Sequence, residues 1–463
     1  MIKSYKNKNE VQIKAESILN KSLRDVISQE AINTIEKKVG EYGTKRKGYL
    51  GNIIERYFFE INPGNTSEPD FQEAGIELKT TPLKTHLARK FTSKERLVFS
   101  MINYETIVSE TWLLSSFLKK NKTLLLMFYQ WIENKHILDY RFIFIHFLNL
   151  LQDIPDEDVF QIQKDWEYIV AKIKRGEAHL LSEGDTYYLG ACTKAANNRV
   201  VRDQTFNSKS AKPRAFSFKQ QYINYIIQTK LLGNKSSTDS IFKKKRRIET
   251  IEDGIKDKFA QYIEKSDSEI LKMLNSTLEN KSKGYKRLII NRILGVESRN
   301  IEELEKANIT LKVITLEHTG TLRESISFPA FDYRDLVTQT WYDGEEETMA
   351  DFHLQLEAKK FLFVIFQKQK GTSNIVLKKV MFWNFPMKDI DEAERVWQKT
   401  INCINQGNYD IFPKMSESDV AHVRPHGKNS KDKILTPHNT LEMKRCFWLN
   451  AKYIKKAIEL ELK

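Results

Sequence analysis

Residues 69–82 of the chain are PDFQEAGIELKTTP, and this stretch decides which fold and chemistry the sequence predicts. Its later part, GIELKTTPL at 75–83, alternates apolar and polar residues with the period of two that is typical of a strand. Side chains two apart on a strand point to the same face, so Glu77 and Lys79 lie side by side while the apolar residues between them enter the core. Asp70 ends the preceding turn and can come alongside Glu77.

The spacing of these residues is the PD, six residues, ExK pattern of metal-dependent nucleases. Asp70 and Glu77 supply the hard oxygen ligands that Mg2+ prefers, and Lys79 then lies beside the metal. Mg2+ lowers the pKa of a bound water and neutralises charge on phosphate oxygens. Glu55, on the preceding amphipathic helix, could add a further ligand or a base. Taken alone, the same alternation also fits a solvated strand face.

The overall charge points to a polyanionic partner. The 463 residues include 75 Lys and Arg against 61 Asp and Glu, a formal net charge of +14. Lysines and arginines that neutralise phosphates release condensed counterions, which favours binding to nucleic acid. We expect DNA or RNA as the partner, with an anionic membrane surface as the second choice.

Cysteine usage and hydropathy predict a soluble protein of the reducing cytoplasm. The three cysteines are scattered, with no CxxC spacing, so neither a disulfide framework nor a structural zinc site is expected. The N-terminal residues MIKSYKNKNE lack the apolar core of a secretion signal. No apolar stretch approaches the roughly 20 residues needed to span a bilayer, so no membrane contact is expected.

The sequence contains an internal repeat, in which weakly similar segments recur in the same order. The matched pairs are GYLGNIIERY at 48–57 with GYKRLIINRI at 284–293, GIELKTTPL with NITLKVITL at 308–316, ERLVFSMINY at 95–104 with ESISFPAFDY at 324–333, and RAFSFKQQYI at 214–223 with RCFWLNAKYI at 445–454. Trp166 and Gly176 are also spaced like Trp397 and Gly407. We predict a duplicated domain, with residues 1–230 as the first copy, a polar and basic linker at 231–250, and residues 251–463 as the second copy.

The two copies differ where the chemistry would lie. The residues at the positions of Glu55, Asp70, Glu77 and Lys79 are, in that order, Asn291, Glu303 (placed by spacing), Thr310 and Lys312. Two of three acids become neutral, so we expect the second copy to keep the scaffold and to have lost metal binding.

The chain resembles the MutH-like endonucleases, a family that includes a mismatch-repair nicking enzyme and type II restriction enzymes that cut at GATC. The matching segments are PDFQEAGIELKTTP, SKERLVFSMINYE at 93–105, Asp165-Trp166, LSEG at 181–184, CTKAAN at 192–197 and RAFSFK at 214–219. The resemblance implies a restriction-endonuclease-like α/β fold, with a mixed sheet flanked by helices and used twice in tandem. It also implies Mg2+ as cofactor and GATC recognition in double-stranded DNA.

The resemblance assigns roles to individual residues of the first copy. It implies Asp70 and Glu77 as metal ligands, Lys79 as the catalytic lysine, Glu55 as the helix glutamate, and Lys120 as a further active-site lysine, with Lys119 and Lys122 as alternatives in the alignment. It implies Lys194 as a base-reading residue, in keeping with the ability of lysine to donate to guanine O6 and N7. The RxF motif begins at Arg214, and Ser217 follows it where the nicking enzyme has a tyrosine that contacts DNA. The resemblance therefore implies that Arg214 and Ser217 are DNA-binding residues.

In the second copy, the segment VRPHGKN at 423–429 falls opposite the loop that holds Lys194. Arg424 and His426 of this segment are therefore predicted to contact DNA, although a purely structural role for the second copy also fits. His422 and His426 are four residues apart, but Pro425 between them disfavours a helical zinc pair.

These observations predict a type II restriction endonuclease whose second copy binds DNA without cutting, either by clamping the site or by binding a further DNA copy as an allosteric effector domain. A strand-nicking mismatch-repair enzyme and a non-cleaving DNA-binding protein are the alternatives. With one catalytic copy per chain, cutting both strands requires two chains that meet on DNA or one chain that acts twice. We expect a monomer in solution that pairs on DNA.

Overall fold

The structure of the chain is a computed structural model, which describes residues 2–42, 48–64, 66–86, 91–194, 199–234, 239–242, 249–278, 284–342 and 349–460. The architecture is α/β, with mixed sheets and helices. Within the described residues, no helix is both long enough and apolar enough to cross a membrane.

The first half of the chain, up to residue 231, contains six α-helices and nine strands among its described residues. The helices are α1 (Lys8–Glu16), α2 (Gln29–Tyr42), α3 (Tyr49–Ile53), α4 (Ser116–Asn121), α5 (Asp156–Lys174) and α6 (Gln220–Ile226); π-helical turns extend α3 over Ile54–Phe58 and α6 over Ile227–Leu231. The strands are β1 (Glu77–Lys84), β2 (Thr92–Ser93), β3 (Leu97–Met101), β4 (Thr123–Gln130), β5 (Arg141–Asn149), β6 (Leu189–Thr193), β7 (Arg202–Gln204), β8 (Asn207–Ala211) and β9 (Arg214–Phe218).

Two sheets organise this half. The first has the order β2-β1-β4-β5, in which β1 runs parallel to β4 and β5 runs antiparallel to β4. The apolar run at β4, which is buried along most of its length, forms the centre of that sheet as its composition predicts. The second sheet, β3-β9-β6, is antiparallel, and β7 and β8 form a hairpin beside it.

The second half contains eight helices and eight strands in its described part. The helices are α7 (Ile251–Ala260), α8 (Asp267–Met273), α9 (Tyr285–Leu294), α10 (Glu302–Lys306), α11 (Tyr333–Leu336), α12 (Asp351–Ala358), α13 (Ile390–Asn405) and α14 (Ala451–Leu460). The strands are β10 (Ile309–Leu316), β11 (Ile326–Ser327), β12 (Lys360–Lys368), β13 (Ile375–Asn384), β14 (Ala421–Pro425), β15 (Lys433–Leu435), β16 (Leu441–Met443) and β17 (Arg445–Leu449).

The strand order of the first half recurs in the second. The sheet β10-β12-β13 has one parallel and one antiparallel pairing, as β1-β4-β5 has, and the sheet β11-β17-β14 matches β3-β9-β6. Backbone strain recurs as well. Gly48 and Gly284, which precede α3 and α9, have φ of 81° and 78°, and Gly75 and Asn308, which precede β1 and β10, have φ of 66° and 56°. These left-handed conformations favour glycine or asparagine, which explains why such residues recur there.

The two halves pack on each other through a common core and buried ion pairs. One hydrophobic cluster contains residues from both halves, from Leu83 to Val380. Lys306 of the second half pairs with Asp158 at 2.7 Å, and Arg214 of the first half pairs with Glu357 of α12. Both pairs are nearly inaccessible to solvent, so the halves form an extensive desolvated interface.

The predicted linker at 231–250 is in part a packed segment. Ile241 is 4% exposed, and its backbone N–H donates to Glu303 Oε2 at 3.1 Å. Asp239 forms a bridge with Ile301. Residues 239–242 therefore dock on the second half, because their backbone and side chains find partners there. The basic run at 243–247 lies outside the described residues.

Candidate active site

Glu55 lies on the π-helical turn that follows α3. The extra residue in a π turn displaces the side chains after it, and such turns are frequent at functional sites. Gly51, one turn earlier, leaves space there: a Cβ atom at that position would lie 3.8 Å from Thr80 Oγ1 and 4.0 Å from Glu55 Oε1. The helix therefore approaches β1 closely and directs Glu55 towards its start.

Asp70 and Glu77 are held together by backbone hydrogen bonds. The backbone N–H of Leu78 donates to Asp70 Oδ2 at 2.8 Å, and the N–H of Asp70 donates to Glu77 Oε2 at 3.2 Å. Glu77 is 2% exposed, so its carboxylate is taken out of water. The turn and the first residues of β1 thus fix two carboxylates side by side, as the sequence spacing predicts.

Burial and mutual repulsion raise the pKa values of the acids. The pKa of Glu55 rises to about 8, mainly through burial and further through the charges of Asp70 and Glu77. The pKa of Asp70 rises to about 6, again through burial first and then through Glu77. Three acids this close repel one another, so a cation at this position would relieve the repulsion.

Two lysines face the carboxylates. Lys79 Nζ lies 2.7 Å from Glu77 Oε1, and Lys120 Nζ lies 3.7 Å from the same oxygen. Lys120 also donates to the Thr66 carbonyl at 2.7 Å. Its neighbour Lys119 points outward and pairs with Glu68. Of the aligned candidates at 119, 120 and 122, the structure therefore brings Lys120 to the carboxylates.

The donor set fits Mg2+. Among the described residues, no group of three or more His, Cys, Asp or Glu side chains is arranged to hold a metal ion. Mg2+ does not require such a cage, because it keeps several waters and is commonly bound by one or two carboxylates. Asp70 and Glu77 provide that pair. A divalent cation bound there would offset the repulsion between the two carboxylates, which contributes to the raised pKa of Asp70.

The equivalent positions of the second half lack this donor set. Thr310 pairs with Phe361 across β10 and β12, as Glu77 pairs with Leu124 across β1 and β4, so the two residues occupy the same place in their sheets. Asn291 is buried and donates to the Ser298 carbonyl. No carboxylate pair of the Asp70–Glu77 kind therefore forms at these positions.

Comparison with known proteins agrees with this geometry. The family model for the DNA mismatch repair enzyme MutH matches residues 59–165, which include Asp70, Glu77, Lys79 and Lys120. The chain is 31% identical to the type II restriction enzyme Sau3AI of Staphylococcus aureus, over 99% of each chain. The chain belongs to the MutH-like type II restriction endonucleases. It is also 25% identical to the DNA mismatch repair protein MutH of Shewanella oneidensis, over 48% of this chain and 94% of that protein.

The predicted DNA contacts of this endonuclease divide into exposed and buried residues. Lys194 is exposed at the end of β6, and its backbone N–H donates to the Pro213 carbonyl. Arg214 is 3% exposed and Ser217 is fully buried. The predicted contacts of Arg214 and Ser217 with DNA do not match this placement, because both side chains are buried in the folded chain. Arg214 instead pairs with Glu357 and donates to the Ala191 carbonyl at 2.9 Å.

The corresponding sheet of the second half presents two exposed side chains near Trp448. Arg424 is exposed on β14, and its guanidinium carbon lies 5.1 Å from the centre of the Trp448 ring. His426 is also exposed and meets the same ring edge-on at 5.8 Å. His422 is 1% exposed and hydrogen-bonds to Asn450, so the two histidines do not converge on a metal.

Sequence reasoning missed Trp448. It stands at the position of Ser217, because Gly190 pairs with Ser217 as His422 pairs with Trp448. The alignment of RAFSFK with RCFWLN matches Ser217 to Trp448. A tryptophan at that position of a basic chain was the sequence signal that could have identified it.

Proposed function

We propose that this endonuclease cleaves double-stranded DNA at GATC sites by Mg2+-dependent phosphodiester hydrolysis, and that its second half binds DNA without cutting. The observation that carries the proposal is the fixed pair of Asp70 and Glu77 beside Lys79. The resemblance of the full chain to a type II restriction enzyme supports it, and GATC is the site implied by the MutH-like motifs.

Each residue of the centre has a role in this mechanism. When bound, Mg2+ would supply an activated water and neutralise charge on the scissile phosphate. Asp70 and Glu77 would hold the ion. Lys79 and Lys120, both directed at Glu77 Oε1, donate hydrogen bonds towards the phosphate and stabilise the negative charge that develops on its oxygens. Glu55 has room to take the proton from the attacking water once the neighbouring carboxylates are neutralised.

We infer that the two halves are tandem restriction-endonuclease-like domains, with residues 1–230 catalytic and residues 251–463 devoted to DNA binding. The recurrence of the strand order supports this division. Lys194 in the first domain and Arg424 and His426 in the second are exposed and basic or polar, which fits contacts with DNA. The three cysteines, all free and buried, fit action in the reducing cytoplasm.

One complete set of catalytic residues per chain implies that two chains, monomeric in solution, pair on DNA to cut both strands. The strand-nicking activity of a mismatch-repair enzyme is the second candidate, because the family model that matches is that of such an enzyme.

The test is incubation of the purified protein with a plasmid of mapped GATC sites, in Mg2+ and in EDTA, beside Asp70→Asn. Mg2+-dependent fragments that end at GATC, and that Asp70→Asn does not produce, are the expected result. Nicked circles alone would favour the repair-type activity. An intact plasmid that is nevertheless bound would contradict the catalytic proposal.

A further inference from the structure

The place of the catalytic centre recurs in the second half with the opposite charge. Because β10 pairs with β12 as β1 pairs with β4, Lys312 stands at the position of Lys79 and Thr310 at that of Glu77. We call Asn291, Thr310, Lys312 and Lys359 the second centre. The first centre has three acids beside Lys79 and Lys120, whereas this one has an amide, a hydroxyl and two ammonium groups.

Strand pairing places the two lysines of the second centre near each other: Lys359 directly precedes β12, whose first residue, Lys360, pairs with Ile309 of β10, three residues before Lys312. Lys312 and Lys359 are half-buried, and burial lowers the pKa of each. Lys312 lowers the pKa of Lys359 further, so the two ammonium groups lie within electrostatic reach of each other. Among the described residues, neither forms an ion pair with a carboxylate.

The acids that could neutralise these lysines are engaged elsewhere. Glu303, at the position of Asp70, accepts hydrogen bonds from Ser240 Oγ and from the Ile241 N–H. Glu357, at the position of Lys120 before the equivalent strand, turns away to pair with Arg214. Two partly desolvated like charges without a counter-ion destabilise the free protein. An anionic ligand would remove that cost.

The helix above the second centre adds positive charge. Arg287 of α9 occupies the position of Gly51, which in the first half borders Glu55. Its Nε is buried and has no hydrogen-bond partner among the described residues, and one of its Nη atoms donates to the Arg299 carbonyl at 2.9 Å. The helix that precedes this sheet thus carries an arginine where the first half has a glycine.

We propose that the second centre binds a phosphate of the DNA backbone, with Lys312 and Lys359 providing the positive charge that a metal ion provides in the first. The inference rests on the proposed binding of DNA by the second half. Since the centre has no carboxylate pair to hold a metal, the bound phosphodiester is not hydrolysed. The second half thus binds the duplex at the place that corresponds to the active site of the first half.

The first test uses inorganic phosphate as the probe and the full-length protein. Thermal unfolding is followed in phosphate and in chloride buffers of equal ionic strength, for the wild type and for the double variant Lys312→Gln/Lys359→Gln. We expect phosphate to raise the Tm of the wild type and not that of the variant. Without phosphate, the variant should unfold at a higher temperature than the wild type because the repulsion is gone. Lys452→Gln, an exposed lysine of α14, is the matched control, and Lys312→Arg/Lys359→Arg should keep the phosphate effect.

The second test measures binding to a duplex with one GATC site by fluorescence anisotropy, in EDTA and over a series of KCl concentrations. For Lys312→Gln/Lys359→Gln we expect affinity about tenfold lower and a salt slope smaller by about one, as for the loss of one phosphate contact. Arg424→Ala/His426→Ala is measured in parallel.

The outcomes separate this inference from the proposed function. An unchanged slope in the lysine variant, with a changed slope in Arg424→Ala/His426→Ala, would overturn the phosphate site alone. Unchanged slopes in both would instead refute DNA binding by the second half, and the inference with it. If the lysine variant loses the effect of phosphate on Tm but keeps the wild-type salt slope, the site binds free phosphate and not the DNA backbone. That result would also overturn the proposal. Cleavage by the wild type and its loss in Asp70→Asn are independent of these results.

Discussion

The two halves of this endonuclease keep a lysine, Lys79 or Lys312, at the same point of one strand arrangement and differ in the acids around it. In the first half, Glu55, Asp70 and Glu77 converge, and burial and repulsion raise the pKa of the first two. In the second half, Lys312 and Lys359 lie at the corresponding place and repel each other. One scaffold can therefore favour a cation or an anion at the same pocket, depending on a few side chains around an unchanged backbone.

The second sheets differ in what covers them. Gly190 and Ser217 of the first half are small and buried, and a Cβ atom at Gly190 would lie 2.8 Å from Glu183 Cγ. At the equivalent places, the second half has His422 and Trp448, with Arg424 exposed above the ring. In the first half Glu183 covers this place, whereas in the second half the exposed guanidinium of Arg424 lies over the Trp448 ring.

The largest expected effect concerns that interface. Glu357→Ala should lower the free energy of unfolding by about 3–5 kcal/mol, because it leaves Arg214 buried without a partner. The measurement is urea-induced unfolding followed by intrinsic fluorescence. The double variant Arg214→Met/Glu357→Leu, which removes both charges, should recover much of this loss. Equal destabilisation by the single and double variants would contradict a dominant role for the ion pair.

The same carboxylate should make stability depend on acid pH. The Arg214 and His353 charges lower the pKa of Glu357 to about 2 from its ordinary 4.5, against the opposing effect of burial. Since the folded pKa lies below the unfolded one, the stabilisation is complete above about pH 4.5 and is lost as the pH falls towards 2. We expect wild type to lose roughly 3 kcal/mol more than Glu357→Gln over this window. Parallel pH profiles for the two proteins would refute this account.

A smaller effect should distinguish the two adjacent lysines of α4. Lys120→Ala should slow cleavage by about 10²-fold, the usual loss for one group that stabilises transition-state charge. Lys119→Ala removes only an exposed pair with Glu68 and should change the rate by less than about threefold. Single-turnover cleavage of a GATC duplex measures both. Similar rates for the two variants would show that the direction of Lys120 towards Glu77 has no catalytic consequence.

The smallest expected effect comes from returning an acid to the second centre. Thr310→Glu places a carboxylate beside Lys312, as Glu77 lies beside Lys79, and should raise the free energy of unfolding by roughly 1 kcal/mol. Thr310→Gln, of the same size without the charge, is the control and should not stabilise. A Thr310→Glu protein less stable than Thr310→Gln would mean that Lys312 and Lys359 do not lack a counter-ion.

The sequence predicted the parts that depend on local pattern. The alternation at 75–83 gave β1, the clustered turn residues placed Asp70 next to Glu77, and the recurrence of glycines before α3 and α9 pointed to the repeated strand order. Each of these follows from side-chain periodicity or backbone conformation within a few residues.

The burial of Arg214 and Ser217 could not be predicted in this way. For Arg214 it depends on Glu357 of α12, which lies 143 positions further along the chain and pairs with its guanidinium. The same holds for residues 239–242, whose polar composition indicated a linker, although Glu303 and Ile301 give them partners in the folded chain. The π turn that directs Glu55 depends on the packing of α3 against β1, which hydrophobic periodicity alone does not report.

The central claim is that cutting occurs at the acids of the first half and at no equivalent place in the second. The most direct measurement is single-turnover cleavage of a GATC duplex in Mg2+ by Glu77→Ala, with duplex binding measured in EDTA on the same protein. We predict that cleavage falls by at least about 10³-fold, because a metal ligand is lost, while binding stays within about threefold of the wild type. Cleavage near the wild-type rate in a folded, DNA-binding Glu77→Ala protein would contradict the account.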